Sequence, residues 1–85
     1  MTYEIIIPST PEKFLKKLKM PEQEKILRKI NSIREKPFRH LKKLQGSKLW
    51  RLRIDNYRVI LDIIISGRKI IVIRIGYRKN VYDNL

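Results

Sequence analysis

Three arginines on a predicted β-hairpin, Arg51, Arg53 and Arg58, have the spacing that most clearly indicates chemistry. Residues 49–54 alternate apolar and basic side chains, which predicts a strand with one buried face. Residues 55–56 are Asp-Asn, a pair that tolerates positive φ and suits a two-residue turn. Such a turn sets Arg53 opposite Arg58, with Arg51 on the same face. Like charges that face each other destabilise a hairpin, so these guanidinium groups indicate a binding site for an anion.

The last predicted strand, residues 70–77, brings more arginine to this face. A three-residue loop over residues 66–68, with glycine at the left-handed position, sets Arg58 opposite Gly76. Arg74 and Arg78 then share that side of the sheet. Gly76 has no side chain, which leaves room for the backbone of a ligand.

The other face of these three strands is predicted to be the core. Its members are Trp50, Leu52, Ile54, Tyr57, Val59, Leu61, Ile63, Ile65, Ile71, Ile73, Ile75 and Tyr77. The arginine face also receives Ile60, Ile64, Ile70 and Val72, so we expect its far end to be covered by strand one or by a partner. The same register brings Asp62 near Arg74, and an ion pair between them is the alternative to a ligand-binding role for Arg74.

The rest of the chain supplies the elements that position these strands. A β-branched run over residues 3–7 predicts a first strand, and prolines at positions 11 and 21 begin two helices with apolar stripes. Pro37 ends the second helix, and residues 38–48 form a basic loop. We therefore expect one α+β domain over residues 1–85, in the order β-α-α-β-β-β. The helical hairpin packs on one face of a mainly antiparallel four-stranded sheet.

The charge of the chain limits its partners. Lys and Arg number 21 against 8 Asp and Glu, a formal charge of +13, and there is no cysteine. So large a charge favours polyanions, with nucleic acid first and an acidic protein or an anionic membrane surface next. No disulfide, cofactor or dedicated metal site is expected. No run is long enough to span a bilayer and no signal peptide is evident, so a cytoplasmic location without a membrane is the expectation.

The order of elements and five short motifs resemble the RelE/ParE superfamily of toxin–antitoxin toxins. The motifs are KLQG at residues 43–46, WRLR at 50–53, YRV at 57–59, RIGYR at 74–78 and VY at 81–82. The resemblance covers nearly the whole chain. Each motif alone is common, and the specificity comes from their order and spacing in a short basic chain.

The resemblance to the RelE-like toxins implies a metal-independent endoribonuclease that cleaves mRNA in the ribosomal A site. In such toxins the 2′-OH attacks the adjacent phosphate and a 5′-OH leaves. On this similarity Arg58 clamps the phosphate, Arg78 stabilises the transition state or protonates the leaving oxygen, and Tyr82 stacks on or orients the nucleotide. Arg53 completes the implied catalytic set, and the implied substrate-binding set is Arg51, Lys43, Lys48 and Gly76. A purely anchoring role is the alternative for Tyr82.

One departure from the RelE pattern concerns the general base. Arg51 and Arg53 stand where well-studied RelE toxins have lysines, and a guanidinium essentially cannot lose its proton. Tyr82, with its pKa lowered by neighbouring arginines, is our hypothesis for the base. Gln45 stands where some relatives have a basic residue, so one phosphate contact is missing.

The resemblance also implies partners and an alternative function. An acidic RelB-like antitoxin would wrap the toxin as a heterodimer or heterotetramer, and mRNA and ribosomal RNA would be bound on the ribosome. The alternatives are a ParE-like inhibitor of DNA gyrase and a non-catalytic basic module that binds nucleic acid. ParE-like members typically lack the catalytic basic residues, so the arginine set favours the nuclease.

Overall fold

The computed structural model describes residues 2–79, and these form an α+β domain. Strand β1 (Glu4–Ile6) is followed by helices α1 (Ser9–Lys16) and α2 (Met20–Ser32), a short 3₁₀ helix (Pro37–Arg39) and the two-residue strand β2 (Lys42–Lys43). Strands β3 (Trp50–Ile54), β4 (Tyr57–Ile64) and β5 (Lys69–Tyr77) complete the chain order. The predicted architecture is confirmed, except that β2 makes the sheet five-stranded.

The strands lie side by side in the order β1-β5-β4-β3-β2. β1 pairs parallel with β5, and the other neighbours are antiparallel. The sequence did not indicate where the first strand pairs. Its parallel pairing follows from the two helices, which return the chain to the far edge of the sheet, as a parallel crossover requires.

The helices cover one face of the sheet. Ile26, Ile30 and Ile33 recur at the helical period and are fully buried. They pack in one cluster with strand residues that include Val59, Leu61, Ile70 and Val72. Leu27, which follows Ile26 in the chain and flanks this stripe, is 41% exposed. The helix ends at Ser32 rather than beside Pro37, because the backbone turns tightly through Ile33 and Arg34.

A β-bulge in the last hairpin changes which residues of β5 are buried. Ile60 pairs with Arg74 but Leu61 pairs with Val72, so Ile73 is the extra residue. The predicted register holds on the Arg58 side of the bulge and is wrong beyond it. Ile70 and Val72 therefore lie in the core, while Ile73 is 40% exposed.

The loop beyond the bulge also differs from the prediction. Ile64 pairs with Lys69, so four residues connect the strands. The residue with positive φ is Arg68, at 51°, rather than Gly67. Ile65, expected in the core, lies in this loop and is 66% exposed.

The second face of the sheet is covered at one end by the loop that follows β2. Leu44 is buried against Ile60, and Leu49 packs on both. Neither β1 nor a partner is needed to bury Ile60. Arg53 and Arg58 lie at the other end of this face, next to the β3–β4 turn, whereas Arg51 and Arg74 are the partners of Ile60 on its two neighbouring strands.

Candidate functional site

The β3–β4 hairpin has the predicted turn and register. Asp55 has φ of 50°, Ile54 pairs with Tyr57, and Arg53 pairs with Arg58. The turn residues Asp and Asn accept such backbone angles with little strain. Two arginines are therefore held opposite each other by the local sequence.

β5 brings Gly76 and Arg78 to the same end of the hairpin. Gly76 pairs with Arg58 as predicted, and it is buried. The backbone N–H of Arg78 donates to the Asn56 carbonyl at 2.8 Å, and its Nη1 lies 3.5 Å from the Asp55 carbonyl oxygen. These two contacts with the β3–β4 turn hold Arg78 in place just after the end of β5.

Arg58 and Arg78 line one open cavity of about 800 Å³. Its other lining residues in the described part of the chain are Asn56, Tyr77 and Lys79. Three cationic side chains, one amide and one aromatic ring suit a phosphate joined to a base or sugar. The sequence had not assigned Asn56 or Lys79 to a site, although both lie next to predicted strand ends.

An aromatic cluster supports the Tyr77 side of this cavity. Tyr57 stacks on Tyr77 with ring centroids 5.4 Å apart, and Phe14 of α1 packs edge-on against Tyr77 at 5.6 Å. The Tyr57 hydroxyl donates to the Glu22 carboxylate at 2.9 Å. Burial raises the pKa of Tyr57, and the hydrogen bond to Glu22 raises it further. Tyr57 is a structural residue, as the sequence indicated.

An ion-pair network ties α2 to the turn. Lys25 Nζ lies 2.8 Å from Asp55 Oδ2 and 3.4 Å from Glu22 Oε2. The hydrogen bond to Asp55 is the main cause that raises the pKa of Lys25. Because Asp55 also contacts Arg78, this network connects the helix to one wall of the cavity.

Arg51 and Arg53 are placed differently from the other predicted site residues. Arg51 is 9% exposed and pairs with Ile60, beside the Leu44 cluster. Both arginines line a smaller cavity of about 400 Å³ along the outer side of β3. Arg53 is therefore adjacent to Arg58 through the strand pairing, yet it lines a different cavity.

The remaining predicted site residues lie away from the Arg58–Arg78 cavity or outside the described residues. Lys43 Nζ lies 5.3 Å from the centre of the Trp50 ring, which itself packs on Phe38 at 4.9 Å. Lys48 pairs with Asp62 at 3.4 Å, and the bulge sets Asp62 opposite Ile71. Tyr82 falls outside residues 2–79.

Residues 2–79 contain no group of three or more His, Asp and Glu side chains able to hold a metal ion. None of their helices is both long and apolar enough to cross a membrane.

Solved structures define the class of protein to which this fold belongs. The chain superposes on RelE in the RelBE2 toxin–antitoxin complex of Mycobacterium tuberculosis with a TM-score of 0.84 and 18% identity, over 92% of this chain and 100% of that one. It matches the RelE–RelB complex of Pyrococcus horikoshii OT3 with a TM-score of 0.81 and 24% identity, over 95% of this chain and 100% of that one. Isolated Escherichia coli RelE toxin matches with a TM-score of 0.79 and 21% identity, over 93% of this chain and 87% of that one. The fold is that of the RelE toxins.

The sequence itself identifies the family. Residues 7–82 match the family model described as the ParE toxin of type II toxin–antitoxin system, parDE. The chain therefore belongs to the ParE toxin family of the RelE/ParE superfamily and is a toxin of a type II toxin–antitoxin system. No curated protein matches it in sequence.

Proposed function

We propose that this toxin is a ribosome-dependent endoribonuclease that cleaves mRNA in the A site. The observation that carries the proposal is the shared cavity of Arg58 and Arg78, next to the exposed Tyr77 and Lys79. The cavity offers positive charge from two strands at the end of the sheet and an aromatic surface beside it. A phosphodiester with its flanking base is the ligand that uses both.

The proposed reaction is an internal transfer of the phosphodiester. The 2′-OH attacks the adjacent phosphorus in line, the bond to the 5′-oxygen breaks, and a 2′,3′-cyclic phosphate and a 5′-hydroxyl form. Negative charge grows on the non-bridging oxygens, and preorganised guanidinium groups stabilise it. Arg58 holds these oxygens, while Arg78 donates a hydrogen bond to the leaving 5′-oxygen, which takes its proton from water.

The proton of the attacking 2′-OH needs an acceptor. Arginine is excluded because its guanidinium stays protonated, which applies to Arg51, Arg53, Arg58 and Arg78. We assign the role to Tyr82. A Tyr82→Phe variant that keeps the full cleavage rate on ribosomes rules this assignment out and leaves the roles of the arginines intact.

The remaining predicted residues are proposed to bind RNA around the cleaved phosphate. Arg51 and Arg53 continue the positive surface from Arg58 along β3, and Lys43 and Lys48 extend it over the loop that follows β2. Gly76 pairs with Arg58 and has no side chain, so RNA has room to approach Arg58 from the β5 side. The ribosome supplies both the mRNA and ribosomal RNA phosphates.

The second candidate is inhibition of DNA gyrase, and the match to the ParE family model is the observation that favours it. A gyrase inhibitor works by binding, so it has no need of a phosphodiester cavity with two arginines. Substitution of Arg58 and Arg78 separates the two functions. It should abolish RNA cleavage, whereas gyrase inhibition involves no chemical step that depends on these arginines.

We also propose an acidic antitoxin of the RelB type as partner. The structures from M. tuberculosis and P. horikoshii are toxin–antitoxin complexes. A formal charge of +13 makes the isolated chain self-repulsive, and an acidic partner relieves this. The expected assembly is a heterodimer or a heterotetramer formed through the antitoxin.

The test is to map RNA ends and DNA supercoiling in cells after brief induction. We expect new 5′-hydroxyl ends inside translated codons with wild type, and none with Arg78→Ala. The matched control is Arg68→Ala, in the distant loop between β4 and β5. Supercoiling defects without new RNA ends would overturn the nuclease in favour of gyrase inhibition.

A further inference from the structure

We infer that the toxin has a second nucleic-acid site, a basic groove along the outer edge of β3 that holds a phosphodiester backbone away from the Arg58–Arg78 cavity. Two open cavities, of about 600 and 400 Å³, lie end to end there. Both are lined by Lys29 and Arg53, so they form one continuous depression. We call it the edge groove and define it by Lys25, Arg28, Lys29, Arg39 and Lys42. Arg53, to which the proposed function gives a role beside Arg58, lies where the two cavities meet.

The helix wall of the edge groove is set by the period of α2. Lys25, Arg28, Lys29 and Ser32 recur at i, i+3, i+4 and i+7, which places them on one stripe of the helix. The stripe lies beside the buried one of Ile26, Ile30 and Ile33. Burial of the isoleucines therefore orients the basic stripe toward the edge of β3.

The strand wall exists because β2 is short. β2 pairs only with Trp50 and Arg51, so it does not cover the outer side of β3 beyond that point. The segment that leads into β2 contributes Arg39 and His40 to the same depression, and the first residue of β2 contributes Lys42. Asp55 is the one acidic residue among the lining residues of the two cavities, and Lys25 neutralises it at 2.8 Å.

The chemistry of the edge groove favours nucleic acid over an isolated anion. Its cations are spread along an elongated depression rather than focused on one point, as suits a chain of phosphates. Phe38, which directly precedes Arg39, is 41% exposed and packs on Trp50. Phe38 does not line either cavity, but its exposed ring follows directly on the lining residue Arg39 in the chain, where a nucleobase of the bound strand can stack on it.

The edge groove adjoins the proposed catalytic cavity, because Arg53 pairs with Arg58, but its lining residues are different. The two share no lining residue in the described part of the chain, and the Asp55–Asn56 turn lies between them. Binding in the groove therefore does not depend on the proposed cleavage. It would hold a strand of RNA on the toxin even if the Arg58–Arg78 cavity performed no chemistry.

The test measures binding of the full chain to a labelled 2′-O-methyl RNA of about 12 nucleotides by fluorescence anisotropy. This probe lacks the attacking 2′-OH and cannot be cleaved. The variant Lys29→Gln/Lys42→Gln removes two charges from the edge groove. The matched control, Lys13→Gln/Lys17→Gln, removes two exposed lysines from helix α1 and its C-cap, neither of which lines the edge groove.

We expect the edge-groove variant to bind about tenfold more weakly at ~0.1 M salt, with a salt slope shallower by roughly 1.4. The control should lose about twofold at most, because long-range attraction between exposed charges is screened. Phe38→Ala should weaken binding of the intact oligomer about fivefold through lost stacking on a base. It should not weaken binding of an oligomer that lacks its bases. Equal losses in the two double variants would overturn the proposal, since net charge alone would then explain binding.

Two further arms identify the ligand. DNA of the same sequence reports whether the groove distinguishes the sugar, and either result supports a phosphodiester site. Polyglutamate with the same number of charges should compete at least tenfold less well than RNA. Equal competition would overturn the nucleic-acid assignment in favour of an acidic peptide. Arg58→Ala/Arg78→Ala should still bind the RNA, whereas loss of binding there would show that the groove is no separate site.

Discussion

Arg53 and Arg58 lie directly opposite each other across the β3–β4 hairpin. They form the residue pair next to Ile54 and Tyr57, the pair that flanks the turn. Hairpins normally avoid like charges at this position because they destabilise the pairing. The apolar residues on either side fix the register, so the two arginines cannot separate by sliding. The local sequence therefore holds two positive charges next to each other at the end of the sheet.

Removal of one member of this pair should stabilise the isolated toxin. We expect Arg53→Gln to raise the free energy of unfolding by about 0.5 kcal/mol at low salt. The gain should shrink at about 0.5 M salt because the charges are screened. Urea unfolding followed by circular dichroism measures both. Lys13→Gln is the control for net charge, and an equal gain from it would remove the pairing explanation.

The bulge in the β4–β5 hairpin predicts opposite outcomes for two isoleucines of one strand. Ile70 is fully buried and Ile73 is 40% exposed. Ile70→Ala should lower the free energy of unfolding by about 2–5 kcal/mol, as expected for a buried isoleucine. Ile73→Ala should lower it by less than about 1 kcal/mol. Chemical denaturation distinguishes them, and the reverse order would indicate a hairpin without the bulge.

Alkaline pH should destabilise the fold through Tyr57. Its pKa in the folded state is raised above the ordinary value of 10.0, so its protonated form stabilises the fold. That contribution is complete below about pH 10 and is lost as the pH rises through the folded-state pKa. Lys25, whose pKa is also raised, acts in the same direction.

The Tyr57→Phe variant isolates the tyrosine contribution. It should cost about 1 kcal/mol at neutral pH through the lost hydrogen bond to Glu22, and stability should then fall less steeply between about pH 9 and pH 11. Urea midpoints across this range provide the measurement. Tyr3→Phe, which removes a hydroxyl elsewhere in the fold, is the control. An unchanged pH dependence in Tyr57→Phe would refute this role.

Substitution at Arg58 should separate charge from geometry in the proposed cleavage. Arg58→Ala should slow cleavage of ribosome-bound mRNA by about 10²–10³-fold, as loss of a transition-state donor does. Arg58→Lys keeps the charge but loses the bidentate fork, so we expect only partial recovery. Single-turnover rates give the comparison, and a lysine variant as active as wild type would show that charge alone suffices.

Sequence reasoning succeeded where polar and apolar residues alternate or where a turn has distinctive chemistry. The alternation of Arg51 and Arg53 with apolar neighbours, followed by Asp55–Asn56, determined the register of the β3–β4 hairpin. The pairing of Arg58 with Gly76 was predicted from a three-residue loop. It holds although the loop has four residues, because the extra residue Ile73 restores the register. It failed along β5, where apolar residues run almost without interruption over Lys69–Tyr77. Such a run carries no period of two, so nothing in it indicated a bulge.

Other differences depend on tertiary contacts that the sequence does not show. Leu44, in a loop that the sequence analysis described only as basic, is buried against Ile60. The edge groove was missed because the basic stripe of α2 and the residues before β2 are far apart in the chain. The sequence identified most of the cations but not the two surfaces into which the fold divides them.

The most direct test of the central claim is a reconstituted reaction with purified toxin, programmed ribosomes and end-labelled mRNA. Wild type should produce a 5′-hydroxyl and a 2′,3′-cyclic phosphate within the A-site codon. Arg78→Ala should be folded, should bind the ribosome and should cleave at least about 10²-fold more slowly. Equal cleavage by wild type and Arg78→Ala, or no cleavage by wild type in a preparation that inhibits purified DNA gyrase, would contradict the account.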